Sequence, residues 1–178
     1  MSNIEIKEFD LSDESEFEVF SKYVNDFLSV MSNAYGSNYW SNKIYKQKIE
    51  KRRLIISIAY DNSNNEAVGA ILVKHRGKLS GIAVIRNYRR NGVARYMLKK
   101  MIIKFPSLFV EVGTDNTVMK KLLTSENFKP VNKKSKILQY LHFEKIQILK
   151  ESVPYLIYYH GDKCNVDRAR KFIMYQHE

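Results

Sequence analysis

Gly81-Ile82-Ala83-Val84-Ile85-Arg86-Asn87-Tyr88-Arg89-Arg90-Asn91-Gly92-Val93-Ala94-Arg95 sets a strand, a basic turn and the start of a helix in immediate succession. Beyond the turn, Val93, Met97, Met101 and Phe105 recur every four residues with Ala94, Leu98 and Ile102 alongside, which predicts an amphipathic helix over 93–105. Pro106 ends it. A strand-to-helix turn of this kind presents several unpaired backbone N–H groups toward one point, and the helix dipole adds partial positive charge there. That is a cradle for a phosphate or pyrophosphate. Gly92 lets the backbone approach an anion closely, Ala94 keeps the following turn narrow, and Arg89, Arg90 and Arg95 add charge. The turn's one glycine and the lack of a Lys-Ser/Thr pair exclude a Walker loop and a dinucleotide fingerprint.

Working outward toward the N-terminus, Lys78 to Ile85, Ala67 to His75 and Leu54 to Tyr60 read as an antiparallel meander, turned at Arg76-Gly77 and at Asp61-Asn62-Ser63-Asn64-Asn65. A helix rich in lysine is predicted over about 39–52, with an apolar thread of Trp40, Ile44 and Ile49. Before it, Ser32 to Asn38 should break a helix whose buried face is Phe17, Phe20, Val24, Phe27, Leu28 and Met31. Ser12 or Asp13 caps that helix, and Ile4 and Ile6 alternate with charges ahead of Phe9 as a first strand. Toward the C-terminus, Leu108 to Val112 is a strand, and a helix starts at Asp115 with Val118, Met119, Leu122 and Leu123 facing inward. Phe128 to Val131 and Ile137 to Phe143 complete a β–α–α–β–β–β–α–β–α–β–β order, a mixed α/β domain around a central sheet.

Arg89-x-x-Gly92-x-Ala94, after an antiparallel meander and before an amphipathic helix, resembles the Gln/Arg-x-x-Gly-x-Gly/Ala pyrophosphate loop of the GNAT superfamily of acyl-CoA-dependent N-acyltransferases. Val84 stands five residues before Arg89, and Asn116 opens a helix twenty-two residues past Ala94, directly after the 108–112 strand. Asn127-Phe128 closes the run where the family usually has Gly-Phe. The resemblance covers about residues 3–145, an acetyltransferase domain of 1–145, and leaves 146–178 as a C-terminal extension packing on the same domain or on a partner subunit.

The resemblance implies a GNAT-like fold, a mixed sheet splayed into a V and flanked by helices, with acetyl-CoA as co-substrate. The backbone of Ile82, Ala83 and Val84 would pair with the pantetheine arm as an added strand would. The N–H groups of Arg90, Asn91, Gly92, Val93, Ala94 and Arg95 would hold the pyrophosphate, and Asn116 would contact the pantetheine end unless it simply caps its helix. It also implies transfer of the acetyl group to a primary amine by direct attack, which needs a base for the ammonium proton, an N–H donor near Val84 for the oxyanion, and an acid for the thiolate. Glu111 is the candidate base. Many family members supply the acid from a tyrosine in the helix after the 108–112 strand, and here Leu123 stands at that place. Tyr140 and Thr124 are possible replacements.

Composition narrows the rest. The 178 residues are 44% hydrophobic and 28% charged, which excludes wholesale disorder. No apolar run reaches the roughly 18 residues of a membrane helix, no basic-plus-apolar leader opens the chain, and the single cysteine, Cys164, excludes an intrachain disulfide. A cytoplasmic setting is expected, with no metal site. The net charge of +11 divides into −6 over residues 1–28 and +17 over the remainder, a basic face for a polyanion or a solvated lysine surface. In the tail, Val153 to Gly161 reads as a tyrosine-rich edge strand and a basic helix follows to Met174. That pair could cover the sheet, exchange with a second subunit as a homodimer, or stack on nucleic acid, the last not favoured. The acceptor is open: a small amine, an antibiotic, a protein amine or an aminoacyl-tRNA. The rival to an enzyme is a non-catalytic acyl-CoA or nucleic-acid binding module.

Overall fold

The computed structural model describes residues 3–36, 53–75, 77–105, 107–130 and 155–160. The predicted helix over 39–52, the strand over 137–143 with Tyr140, Arg76, Pro106 and the tail helix lie outside those residues. The chain divides into two compact units, residues 1–75 with 79–101 and residues 76–78 with 102–178.

In the first unit, strands β1 (Ile4–Asp10), β2 (Leu54–Asp61), β3 (Glu66–Lys74) and β4 (Lys78–Val84) follow one another as the meander requires. β1 pairs antiparallel with β2, and β2 with β3, through registers such as Phe9↔Ile56 and Ile58↔Ala70. Every residue of β2 from Leu54 to Tyr60 is buried, because both faces of the sheet are covered. Leu54, Ile56, Ile58 and Tyr60 share one face with Ala70, Leu72 and Ala83, and helices α1 (Glu14–Ser21) and α2 (Val24–Tyr35) bury that face with Phe20, Phe27, Val30 and Met31. Full burial of side chains of this size contributes about 1.5–3 kcal/mol each. On the opposite face lies helix α3 (Val93–Lys104), turning in Val93, Met97, Leu98 and Met101. It comes close at Gly69, where a Cβ would stand 2.9 Å from Met97 Cε and 3.0 Å from Val93 Cγ1.

The expected single N-terminal helix is two. Of Ser12 and Asp13, the two caps the sequence offers, it is Asp13 that caps α1, accepting from the N–H groups of Ser15 and Glu16. At Lys22 and Tyr23 the amides turn to acceptors three residues back, Val19 and Phe20, which ends α1 and lets the Tyr23 ring pack against Phe9 and Tyr60. The break expected across Ser32 to Asn38 falls inside that stretch. α2 continues to Tyr35 and ends at Gly36, whose N–H bonds the Ser32 carbonyl. Its orientation is fixed from inside: the Tyr60 hydroxyl on β2 donates to Asp26 Oδ2 at 2.7 Å. Burial first, and then the Asp26 carboxylate, push that hydroxyl well above the usual tyrosine range.

In the second unit, β5 (Leu108–Gly113) pairs antiparallel with β7 (Tyr155–His160), which pairs in turn with the two-residue β6 (Lys129–Pro130). The tail strand is therefore not an edge. It lies between β5 and β6, so this part of the 146–178 extension is built into the sheet. Helix α4 (Thr117–Ser125) starts after Asn116 and buries Leu123 completely. Of the stripe expected beside it, Met119 and Leu122 are half-buried, but Val118 is 78% exposed. The correction follows from helix geometry, because Val118 is five residues from Leu123 and so falls off its face.

Candidate active site

The functional features of the first unit converge on the end of β4. Ile85 N–H donates to Val68 on β3. In an antiparallel ladder each residue turns both its N–H and its C=O to one side, and its neighbours turn theirs to the other. Ala83 and Ile85 therefore face β3, and the Ala83 oxygen lies 3.3 Å from where a Cβ on Gly69 would be. Ile82 and Val84 turn their backbone groups to the opposite side. Of the three residues expected to pair with a pantetheine arm, Ala83 is thus committed to β3, and only Ile82 and Val84 present their backbone groups.

Those groups have partners that the sequence did not announce. The Tyr35 hydroxyl donates to the Ile82 carbonyl at 2.8 Å and accepts from the Ile82 N–H at 3.2 Å. Arg89 Nε donates to the Val84 carbonyl at 3.0 Å, so this arginine does more than add charge: it ties the loop back to the strand end. The opposite flank of the loop is anchored by Tyr88, whose hydroxyl donates to Asp61 Oδ2 at 2.9 Å in the β2–β3 turn. Donors on Ser63 and Tyr88 hold the Asp61 carboxyl below its usual range.

Between these anchors the backbone takes the conformations an anion cradle needs. A short 3-10 turn, Arg86–Tyr88, leads to Arg90 at φ 66° and Gly92 at φ 80°, both left-handed. Asparagine and glycine enter that region readily, whereas arginine pays a penalty there. Tyr96 N–H donates to the Gly92 carbonyl at 2.9 Å, closing the first turn of α3. The first-turn amides of Val93 and Ala94 consequently have no acceptor inside the helix, and they stand at the positive end of its dipole. The Val93 side chain is buried against the Gly69 approach, while Arg90, Asn91 and Arg95 are exposed. The donor set and the charge fit a diphosphate ester.

The residues assigned from the second unit stand differently. Glu111 is half-buried, with Val110 and Val112 buried on the opposite face of β5, and its Oε2 accepts from Lys78 Nζ at 3.1 Å. Asn116 is occupied as a helix cap, its Oδ1 accepting from the Met119 N–H at 3.0 Å. His75 makes a structural contact, with Nε2 at 2.9 Å from Asp10 Oδ1. Among the described residues no group of three or more His, Cys, Asp or Glu could hold a metal, and no helix is long and apolar enough to cross a membrane.

Leu123 is fully buried, and its carbonyl accepts from the Phe128 N–H at 3.0 Å, closing the C-terminal turn of α4. Leu123→Tyr should therefore overfill the site and strand a hydroxyl, at a cost of about 1–3 kcal/mol. The expected result is a melting temperature lower by roughly 3–10 °C with no gain in thiol release from acetyl-CoA. Faster turnover in a stably folded variant would refute it.

The family model for GNAT acetyltransferases matches residues 20–128. Solved structures share the fold at low identity. An acetyltransferase from Streptococcus agalactiae superposes with a TM-score of 0.59 at 14% identity, over 90% of this chain and 99% of its own. A GNAT acetyltransferase from Elizabethkingia anophelis with acetyl-CoA bound gives 0.57 at 14%, over 90% and 99%. The ribosomal-protein-S18-alanine N-acetyltransferase from Escherichia coli gives 0.60 at 14%, over 90% and 97%. No curated protein sequence matches significantly. A strand running into a left-handed basic turn and a helix N-terminus, inside an α/β fold shared with these enzymes and within the matched segment, makes this chain a member of the GNAT acetyltransferase family.

Proposed function

We propose that the protein transfers an acetyl group from acetyl-CoA to a primary amine by direct attack in a ternary complex. The observation that carries this reading is the continuity from the end of β4, at Ile82 and Val84, into the turn at Arg90–Gly92 and the amides that open α3. The amides of residues 90–95 hold the pyrophosphate, and the backbone of Ile82 and Val84 takes the pantetheine arm. The amine nitrogen attacks the thioester carbonyl, an N–H of β4 stabilises the oxyanion, and the C–S bond breaks. The attacking ammonium has first lost its proton through water ordered by Glu111, whose carboxylate is steadied by Lys78. The departing thiolate takes a proton from solvent, or from Tyr140.

A second reading is favoured by one observation. Leu123 is buried and offers no hydroxyl, which suits a module that binds acyl-CoA without turnover. Two measurements separate the readings: the melting temperature with and without acetyl-CoA, and thiol release with a panel of small amines, peptides and aminoacyl-tRNA. The enzyme reading expects both to respond. A cofactor-dependent rise in melting temperature without thiol release from any acceptor would favour the binding module. For the active protein, Glu111→Gln should lower the rate by about 10²-fold and flatten its pH dependence. An unaltered profile would make Glu111 a bystander.

A further inference from the structure

Tyr35 is the last residue of α2 and is 44% exposed, yet its hydroxyl makes a reciprocal pair with one backbone residue, donating to the Ile82 carbonyl and accepting from the Ile82 N–H. A substrate that pairs with the β4 backbone at Ile82 as a strand would needs those same groups. Along β4, Val84 adjoins the phosphate-binding turn, and Ile82 lies about 7 Å further from it. A pantetheine arm running back from the turn reaches Val84 first, so the groups on Ile82 fall to its far, acyl-bearing end. We infer that Tyr35 belongs to the acyl-CoA site: in the free protein its hydroxyl oxygen occupies the place on the Ile82 N–H that the thioester carbonyl takes, and acetyl-CoA displaces it. This rests on the acyl-CoA reading above.

The consequence is discrimination between substrate and product. Acetyl-CoA carries a carbonyl oxygen that replaces the phenol on the Ile82 N–H, whereas CoA ends in a thiol and leaves the Tyr35 pair intact. The phenol therefore competes with the substrate and not with the product. Because the pair is exposed to water, it is a weak competitor, on the scale of one solvent-accessible hydrogen bond.

The test is calorimetric titration of acetyl-CoA and of CoA into the wild-type protein and into Tyr35→Phe, with melting temperatures of the unliganded proteins compared first. Phenylalanine keeps the ring and removes the competing oxygen. The expected result is acetyl-CoA binding about threefold to tenfold tighter to the variant, with CoA affinity changed less than twofold. Equal tightening of both ligands would overturn the inference, since the phenol would then compete with the arm and not the acyl end. Unchanged or weakened acetyl-CoA binding by the folded variant would overturn it too. If neither ligand binds the wild-type protein, the acyl-CoA reading itself fails, and that result is visible before any variant is measured.

Discussion

Acetyl-CoA should fail to raise the melting temperature of a Gly92→Asp variant at concentrations that saturate the wild-type protein, with its dissociation constant raised at least about 100-fold. Two effects add. Gly92 sits at φ 80°, where a side chain is strained, by about 1–2 kcal/mol for most residues and less for aspartate. The larger effect is charge. A carboxylate placed where the amides opening α3 converge would repel a pyrophosphate bound there, and at an effective dielectric between that of water and that of a protein surface a pair of like unit charges about 4 Å apart costs about 1–4 kcal/mol. Gly92→Ala isolates the first effect and should weaken binding only about tenfold. Salt should partly restore the aspartate variant and not the alanine one, because screening acts on the charge alone. Unchanged affinity in a folded Gly92→Asp protein would remove the pyrophosphate from this turn.

Gly77→Ala should give the largest loss of stability from a single methyl group. Gly77 holds φ 84°, and a Cβ there would lie 2.4 Å from the Ser107 carbonyl oxygen and 3.5 Å from its carbon. Both are backbone atoms of a buried residue, so no side chain can swing aside. The same glycine's carbonyl accepts from the Phe109 N–H at 2.8 Å, and relieving the clash would stretch that bond at the start of β5. A cost of about 3 kcal/mol follows from clash and backbone strain together, lowering the melting temperature by roughly 6–12 °C. Gly36 provides the control. It has nearly the same φ, 85°, but nothing within 4 Å of its missing Cβ, so Gly36→Ala should cost only the conformational part, about 1–2 kcal/mol. Equal losses at the two positions would mean that the Ser107 contact is not what Gly77 serves.

Much of this architecture was legible because its signals are local. Apolar runs closed by turn residues mark β2, β3 and β4, the four-residue recurrence from Val93 to Phe105 marks α3, and Arg89-x-x-Gly92-x-Ala94 marks the turn between them, all of them local signals. The break at Lys22–Tyr23 was not legible. The apolar spacing continues through it, and what bends the chain is the packing of the Tyr23 ring on Phe9 and Tyr60, residues from other strands. Nor did periodicity show that Val118 faces solvent, since an apolar residue at the margin of a stripe is placed by what the helix packs against.

The sequence by itself determined the strand, turn and helix of the proposed phosphate cradle, because backbone amides left open by a helix start and a glycine able to adopt positive φ depend on neighbours in the chain alone. Only the tertiary structure decided which groups border that cradle. The Tyr35 hydroxyl on Ile82, forty-seven residues away, follows from α2 being held to β2 through Tyr60 and Asp26. Insertion of Tyr155–His160 between β5 and β6 is a pairing between distant segments that no local pattern encodes. Arg89 and Asn116 show the same division: their positions are written in the motif, but that Arg89 Nε donates to Val84 and Asn116 Oδ1 accepts from Met119 is revealed only by the folded geometry.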